Sequence, residues 1–73
     1  MQTTKKMSLE EGRLIRQARK RSGFTQIDLA DKIGISFQPI NRIENGFESV
    51  SLHNLRLICD AIGLEVVIQH KNG

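Results

Sequence analysis

The chain has 73 residues, of which 38% are hydrophobic and 26% charged; it has no Trp or Tyr, three Phe and one cysteine, Cys59. That is enough for one small domain with a thin core, and it excludes a second domain, an intrachain disulfide and a membrane span of roughly 20 apolar residues. Net charge is +3 and the pI is near 9.5, with basic residues gathered early as Lys5, Lys6, Arg13, Arg16, Arg19, Lys20 and Arg21 against Glu10 and Glu11. Such a cluster is either the footprint of a polyanionic partner or a solvated helix face.

Residues 1–8 are polar and aperiodic and read as a flexible N-terminal arm ending at Ser8. Their lack of an apolar stretch rules out a signal peptide and points to a cytoplasmic protein. Ser8-Leu9-Glu10-Glu11 is a capping box, which predicts a first helix from Leu9 to about Ser22, stopped by Gly23. On it Glu11, Ile15, Ala18 and Ser22 share a face flanked by Leu14 and Arg19, while Arg13, Arg16 and Lys20 lie opposite.

Thr25 caps a second helix over Gln26–Ile33, with Asp28 at the third position and Leu29, Ala30 and Ile33 as its apolar face. Gly34 supplies a positive-φ stop, and Ile35 is the buried pivot of the turn. Ser36 is expected to cap a third helix running to Asn45, with Pro39 in a first turn that does not need its missing N–H. After a linker, Ser51 caps a fourth helix over about Leu52–Ile62, carrying Leu52, Leu55, Ile58, Cys59 and Ile62 at helical spacing. Cys59 reads as a small core residue. Beyond Gly63 the nearly alternating Leu64-Glu65-Val66-Val67-Ile68-Gln69-His70 reads as a strand.

The segment Gln26–Asn45 meets the geometric demands of a helix-turn-helix. Ala30 stands where two helices cross closely, Gly34 stands in the turn, and Leu29, Ile33, Ile35, Ile40 and Ile43 occupy the apolar places. On the third helix Phe37, Asn41, Asn45, Gln38 and Arg42 span an arc of roughly 140° at 100° per residue, and Ile40 and Ile43 point the other way. Amide and guanidinium side chains suit base edges: Gln38 and Asn41 suit adenine and Arg42 suits guanine. Phe37 has two readings, contact with a thymine methyl or packing against the second helix or a partner subunit. Thr25, Gln26, Ser36 and Asn45 are expected near the phosphate backbone, with Thr25 also serving as a cap, Gln26 bracing either a phosphate or a base-reading neighbour, and Asn45 either touching phosphate or capping the third helix. Glu44 lies on the inner edge of the third helix and Arg19 on the edge of the first helix's core face, so a partly buried ion pair between them is expected to lock the two helices together.

These residues carry a resemblance. Arg19, Gly23, Thr25-Gln26, Leu29-Ala30, Ile33-Gly34, Ile35-Ser36 and Ile43-Glu44-Asn45-Gly46 are similar to the Xre/Cro-type helix-turn-helix proteins, which include the lambdoid phage repressors. The resemblance covers about residues 9–63. It implies an all-α, four-helix, repressor-like domain in which the residues at Phe37, Gln38, Asn41 and Arg42 face bases, those at Thr25, Gln26 and Asn45 approach the backbone, and Arg19 pairs with Glu44. It further implies a homodimer on a palindromic operator in double-stranded DNA. Many members continue past Gly63 into a fifth helix, whereas LEVVIQHKNG in this chain resembles the Hip-type antitoxins, whose C-terminal strand pairs across a dimer. A cognate toxin is then an expected partner; the alternatives are a phage- or plasmid-type repressor without one, and a toxin-neutralising protein-interaction module whose DNA binding is secondary. Pro39 and Phe37 depart from the commonest family pattern.

The strand has its own physical case. A lone strand in a helical domain leaves its N–H and C=O groups unpaired, which invites a second chain. Residues 64–73 are therefore expected to dimerise through Leu64, Val66, Val67 and Ile68, the other reading being a disordered or merely packed tail. No Cys/His pair, Ser-His-Asp set, phosphate-binding glycine loop or metal cluster occurs, and His53 and His70 are isolated. An enzyme, a cofactor, a metal and a small-molecule ligand are not expected.

Overall fold

The computed structural model describes residues 4–46 and 49–67. Its elements are β1 (Thr4–Lys6), α1 (Leu9–Arg21), α2 (Gln26–Ile33), α3 (Gln38–Glu44), β2 (Ser49–Ser51) and α4 (Leu52–Ala61). Four helices enclose a core whose fully buried side chains are Leu29, Ile40, Ile43 and Ile58. These come from α2, α3 and α4, and Ile15 and Ala18 of α1 join the same cluster. None of the described helices is long and apolar enough to cross a membrane.

Capping fixes three of the four helix starts. Ser8 Oγ accepts from the Glu11 amide at 3.1 Å, and the Glu11 carboxylate in turn accepts from the Ser8 amide at 3.0 Å. Thr25 and Asp28 repeat the arrangement at 3.0 and 3.1 Å. Ser51 Oγ accepts from the Asn54 amide at 3.1 Å. Each cap satisfies amides that the first helical turn leaves without intrahelical partners.

The third helix differs. It starts one residue later than its serine suggests: Phe37 is the N-cap, with no side-chain cap, and Ser36 is not one. The reason lies at Pro39. A cap at Ser36 would draw on the amide three residues on, and proline has none. The first helical hydrogen bond is instead Asn41 N to Phe37 O at 3.0 Å.

The expected flexible arm is corrected from Thr4 onward. β1 pairs antiparallel with β2, Thr4 opposite Ser51, Lys5 opposite Val50 and Lys6 opposite Ser49. Met7 and Val50 are both buried beneath this seam. Lys5 Nζ also reaches Glu11 at 2.8 Å. That contact and the Ser8 amide hold the Glu11 carboxyl below its ordinary value. The mostly helical domain thus carries a two-stranded sheet that periodicity did not indicate.

At the other end, Leu64 N bonds to Cys59 O at 2.8 Å, turning the chain out of α4. Leu64 and Val66 pack on the core, and among the described residues Leu64–Val67 pair with no strand. Ile68 and the rest of the expected strand lie outside the described residues.

Two glycines position α3. Gly34 adopts φ 77° at the end of α2, where its amide and that of Ile35 both bond to Ala30 O, at 2.9 and 3.0 Å. Gly12 lets α1 touch α3 backbone to backbone: a Cβ there would lie 2.3 Å from Ile43 O and 2.8 Å from Glu44 O.

Candidate nucleic-acid interface

The inner side of α3 is held by a buried bidentate ion pair. Arg19 Nε donates to Glu44 Oε2 at 2.7 Å, and Arg19 Nη2 donates to Glu44 Oε1 at 3.0 Å. The third guanidinium nitrogen, Nη1, donates to Phe24 O at 2.7 Å. Arg19 and Glu44 are the buried charged residues among those described, 7% and 5% exposed. A planar fork matched to a carboxylate, with its remaining nitrogen also occupied, is the geometry in which such burial is tolerated. Buried and fully paired, Arg19 belongs to the fold rather than to the basic surface, and the Glu44 carboxylate raises its pKa above the ordinary value. Arg13, Arg16, Lys20 and Arg21 do remain exposed on α1.

A chain of amides runs outward from this pair. Gln26 Nε2 donates to Glu44 Oε1 at 3.2 Å and to Asn41 Oδ1 at 3.3 Å. Asn45 Nδ2 donates to Asn41 O at 2.8 Å and to Asn41 Oδ1 at 3.3 Å. Gln26, Asn41 and Asn45 therefore form one network spanning the start of α2 and the end of α3. Both contacts to Asn41 Oδ1 are long for hydrogen bonds. Asn41 Oδ1 thus accepts from two amides at once, through contacts near the outer limit of hydrogen-bond length.

On the outer side, Gln38, Asn41, Arg42 and Asn45 are exposed, as are Thr25 and Ser36, and Gln26 is half-buried. Ile40 and Ile43 of the same helix are buried in the core. Phe37 is 44% exposed. It lines a cleft of about 590 Å³ between the starts of α2 and α3, together with Lys20, Phe24, Thr25, Gln26 and Ile27. Beside the cleft, Lys32 Nζ lies 5.7 Å from the Phe24 ring centroid.

Sequence spacing missed two members of this surface. Lys20 was assigned to a general basic face, yet it lines the cleft. Ile27 had no role, although it is apolar and sits off the Leu29/Ala30/Ile33 face, a signal the helical wheel does carry. The link from Gln26 to Glu44 was not foreseeable from spacing, because the two are brought together only by the crossing of α2 and α3. Of the expected dimerisation residues, Leu64, Val66 and Val67 line a different cleft with Met7, Leu14 and Leu55. Leu14 and Val67 are among the most exposed large apolar side chains.

Comparison with known proteins places the same elements in other chains. The helix-turn-helix family HTH_3 matches residues 15–68. An uncharacterized HTH-type transcriptional regulator of Methanothermobacter thermautotrophicus is 42% identical over 52 residues, which is 71% of this chain and 75% of that protein. Two crystal structures of the clp gene regulator ClgR from Corynebacterium glutamicum have the same architecture. One gives a TM-score of 0.69 at 30% identity, covering 85% of this chain and 82% of the other. The second gives 0.67 at 29% identity, covering 82% and 66%.

Proposed function

The chain belongs to the helix-turn-helix family, and from that premise we propose that it is a cytoplasmic, sequence-specific repressor that binds a palindromic operator as a homodimer. The family and its HTH-type relative point to a DNA-binding transcriptional regulator rather than an enzyme. One observation carries the finer reading. α3 is anchored on one side by Ile40, Ile43 and the Arg19–Glu44 pair, and it presents Gln38, Asn41 and Arg42 to solvent on the other. A helix so mounted offers its outer side chains to the major groove, with Gln38, Asn41 and Arg42, and Phe37 at the helix start, against bases. Thr25, Gln26, Ser36 and Asn45 flank that face and are assigned to phosphates.

Selection of bound sequences from random DNA tests this reading. A preferred half-site, repeated about one helical turn away or a multiple of it, is expected, with binding that weakens steeply as salt rises. Recovery of no preferred sequence would sink it. Arg42→Ala or Gln38→Ala should lower operator affinity by about 1–3 kcal/mol and relax preference at one base pair.

For the homodimer, support comes from the apolar surface formed by Leu14 and Val67 beside Leu64 and Val66. Val67 is 65% exposed, so Val67→Glu should weaken self-association without opening the core. An unchanged dimer in sedimentation would remove Val67 from the interface. A role as the autoregulating antitoxin of a type II toxin–antitoxin operon rests on the Hip-like layout after Gly63. A toxin-like reading frame beside its gene, whose toxicity this chain suppresses, is the result that reading requires.

A further inference from the structure

We infer that Ile27 and Phe37 together form a clamp for the C5-methyl group of a pyrimidine, in unmodified DNA a thymine, at one position of the operator half-site. The inference rests on the DNA-binding reading above and adds a specificity determinant from α2 to those on α3.

Among the described residues, five large hydrophobic side chains are exposed: Leu9, Leu14, Ile27, Phe37 and Val67. Leu14 and Val67 line the cleft at the C-terminal segment. Ile27 and Phe37 belong to different helices, yet they line one cleft, 58% and 44% exposed, with Phe24 contributing a third apolar wall. Ile27 is the second residue of α2, and Phe37 caps α3 and immediately precedes Gln38. The cleft is thus continuous with the base-facing arc. Its other walls include Lys20, Thr25 and Gln26, a cation and hydrogen-bonding side chains suited to the phosphates beside a base pair.

The chemistry of the groove narrows the occupant. Base edges in the major groove present acceptors, donors and one apolar group, the thymine C5-methyl. An aromatic ring and a branched aliphatic side chain offer no hydrogen bond to a base edge. What they can discriminate is the presence of that methyl group, by covering it from water. Exposed apolar side chains at this site are then filled by the ligand rather than by the core.

The test uses the intact chain and its selected half-site. Each thymine is replaced in turn by deoxyuridine, which deletes the methyl group and leaves pairing unchanged. Burial of one such carbon predicts about a four-fold loss of affinity at a single position. In Ile27→Ala the thymine-to-uracil ratio at that position should fall toward one while the melting temperature stays close to that of the parent chain. Phe37→Ala should do the same, and it serves as the second reading if one variant folds poorly. If sequence selection persists but no thymine is sensitive to loss of its methyl, the clamp is overturned and the DNA-binding reading stands. If Ile27→Ala loosens the dimer and leaves the methyl effect intact, the patch is a protein–protein surface and the clamp is likewise overturned. Failure to select any sequence overturns both.

Discussion

The two ends of α3 are held in opposite ways. At its C-terminal end, Ile43 and Glu44 are buried, Glu44 is gripped by Arg19 and Gln26, and the backbone of both residues lies against Gly12 of α1. At its N-terminal end, Phe37 caps without a side-chain hydrogen bond, Pro39 removes an amide, and Phe37 and Gln38 are exposed. The anchored end fixes the angle at which the helix leaves the body. At the exposed end a substitution should disturb little besides what it touches. A recognition module needs both: rigidity where it joins the scaffold, and tolerance where specificity is written.

This contrast can be broken most forcefully at the ion pair. Glu44→Ala leaves Arg19 as an uncompensated buried charge and should lower unfolding free energy by about 3–5 kcal/mol, measured by denaturant titration. A change below about 1 kcal/mol, the range of exposed pairs, would mean that the anchor is not what holds α3. Next comes Gly12→Ala. Its methyl meets the α3 backbone, which has no flexible end to move aside, so about 1–3 kcal/mol of destabilisation is expected. Circular dichroism should report a folded protein, and operator affinity should fall because α3 is pushed outward. Gln38→Ala sharpens the comparison from the other end. It should change stability by no more than about 0.5 kcal/mol, as for surface sites away from structural features, while altering base preference.

The smallest expected effect is in acid. The Lys5 contact and the Ser8 amide lower the Glu11 pKa, and the Thr25 backbone amide and hydroxyl lower that of Asp28. For a carboxyl lowered on folding, the unfolded chain binds more protons as pH drops. The stability it contributes is full above the ordinary values of 4.5 and 3.8, and it is lost as pH falls through the lower folded values. Thermal melts should therefore show a modest fall in Tm only below about pH 4.5, reduced in Glu11→Gln.

Much of this was legible in the sequence because it is local. Capping residues and helix-terminating glycines mark α1, α2 and α4 within a residue or so, and apolar spacing identifies Leu29, Ile40, Ile43 and Ile58 as core. The sheet was not legible: three residues are too short for an alternating pattern, and Val50 is the lone apolar residue in either strand. Ser36 misled because a serine before a helical run is ordinarily a cap, and the absent donor at Pro39 matters only once the register is known. The surroundings of Arg19 and Glu44 also needed three dimensions, since Phe24 O and the Gln26 amide enter through the packing of the turn and the crossing of α2. Ile27 shows the reverse case, an apolar residue on the wrong face whose neighbours become visible only when Phe37 is placed beside it.

The β1–β2 seam has a kinetic meaning beyond its few hydrogen bonds. Pairing Thr4 with Ser51 closes a loop that encloses α1, α2 and α3, whereas each helix on its own forms from near neighbours. Loop closure grows more costly with the length enclosed, so the seam is expected to form after the helices and to open before them. Opening of the seam would uncover Met7 and Val50, whereas the Arg19–Glu44 pair belongs to a separate contact between α1 and α3. Amide exchange in this chain should then begin at the seam and reach the DNA-facing unit last.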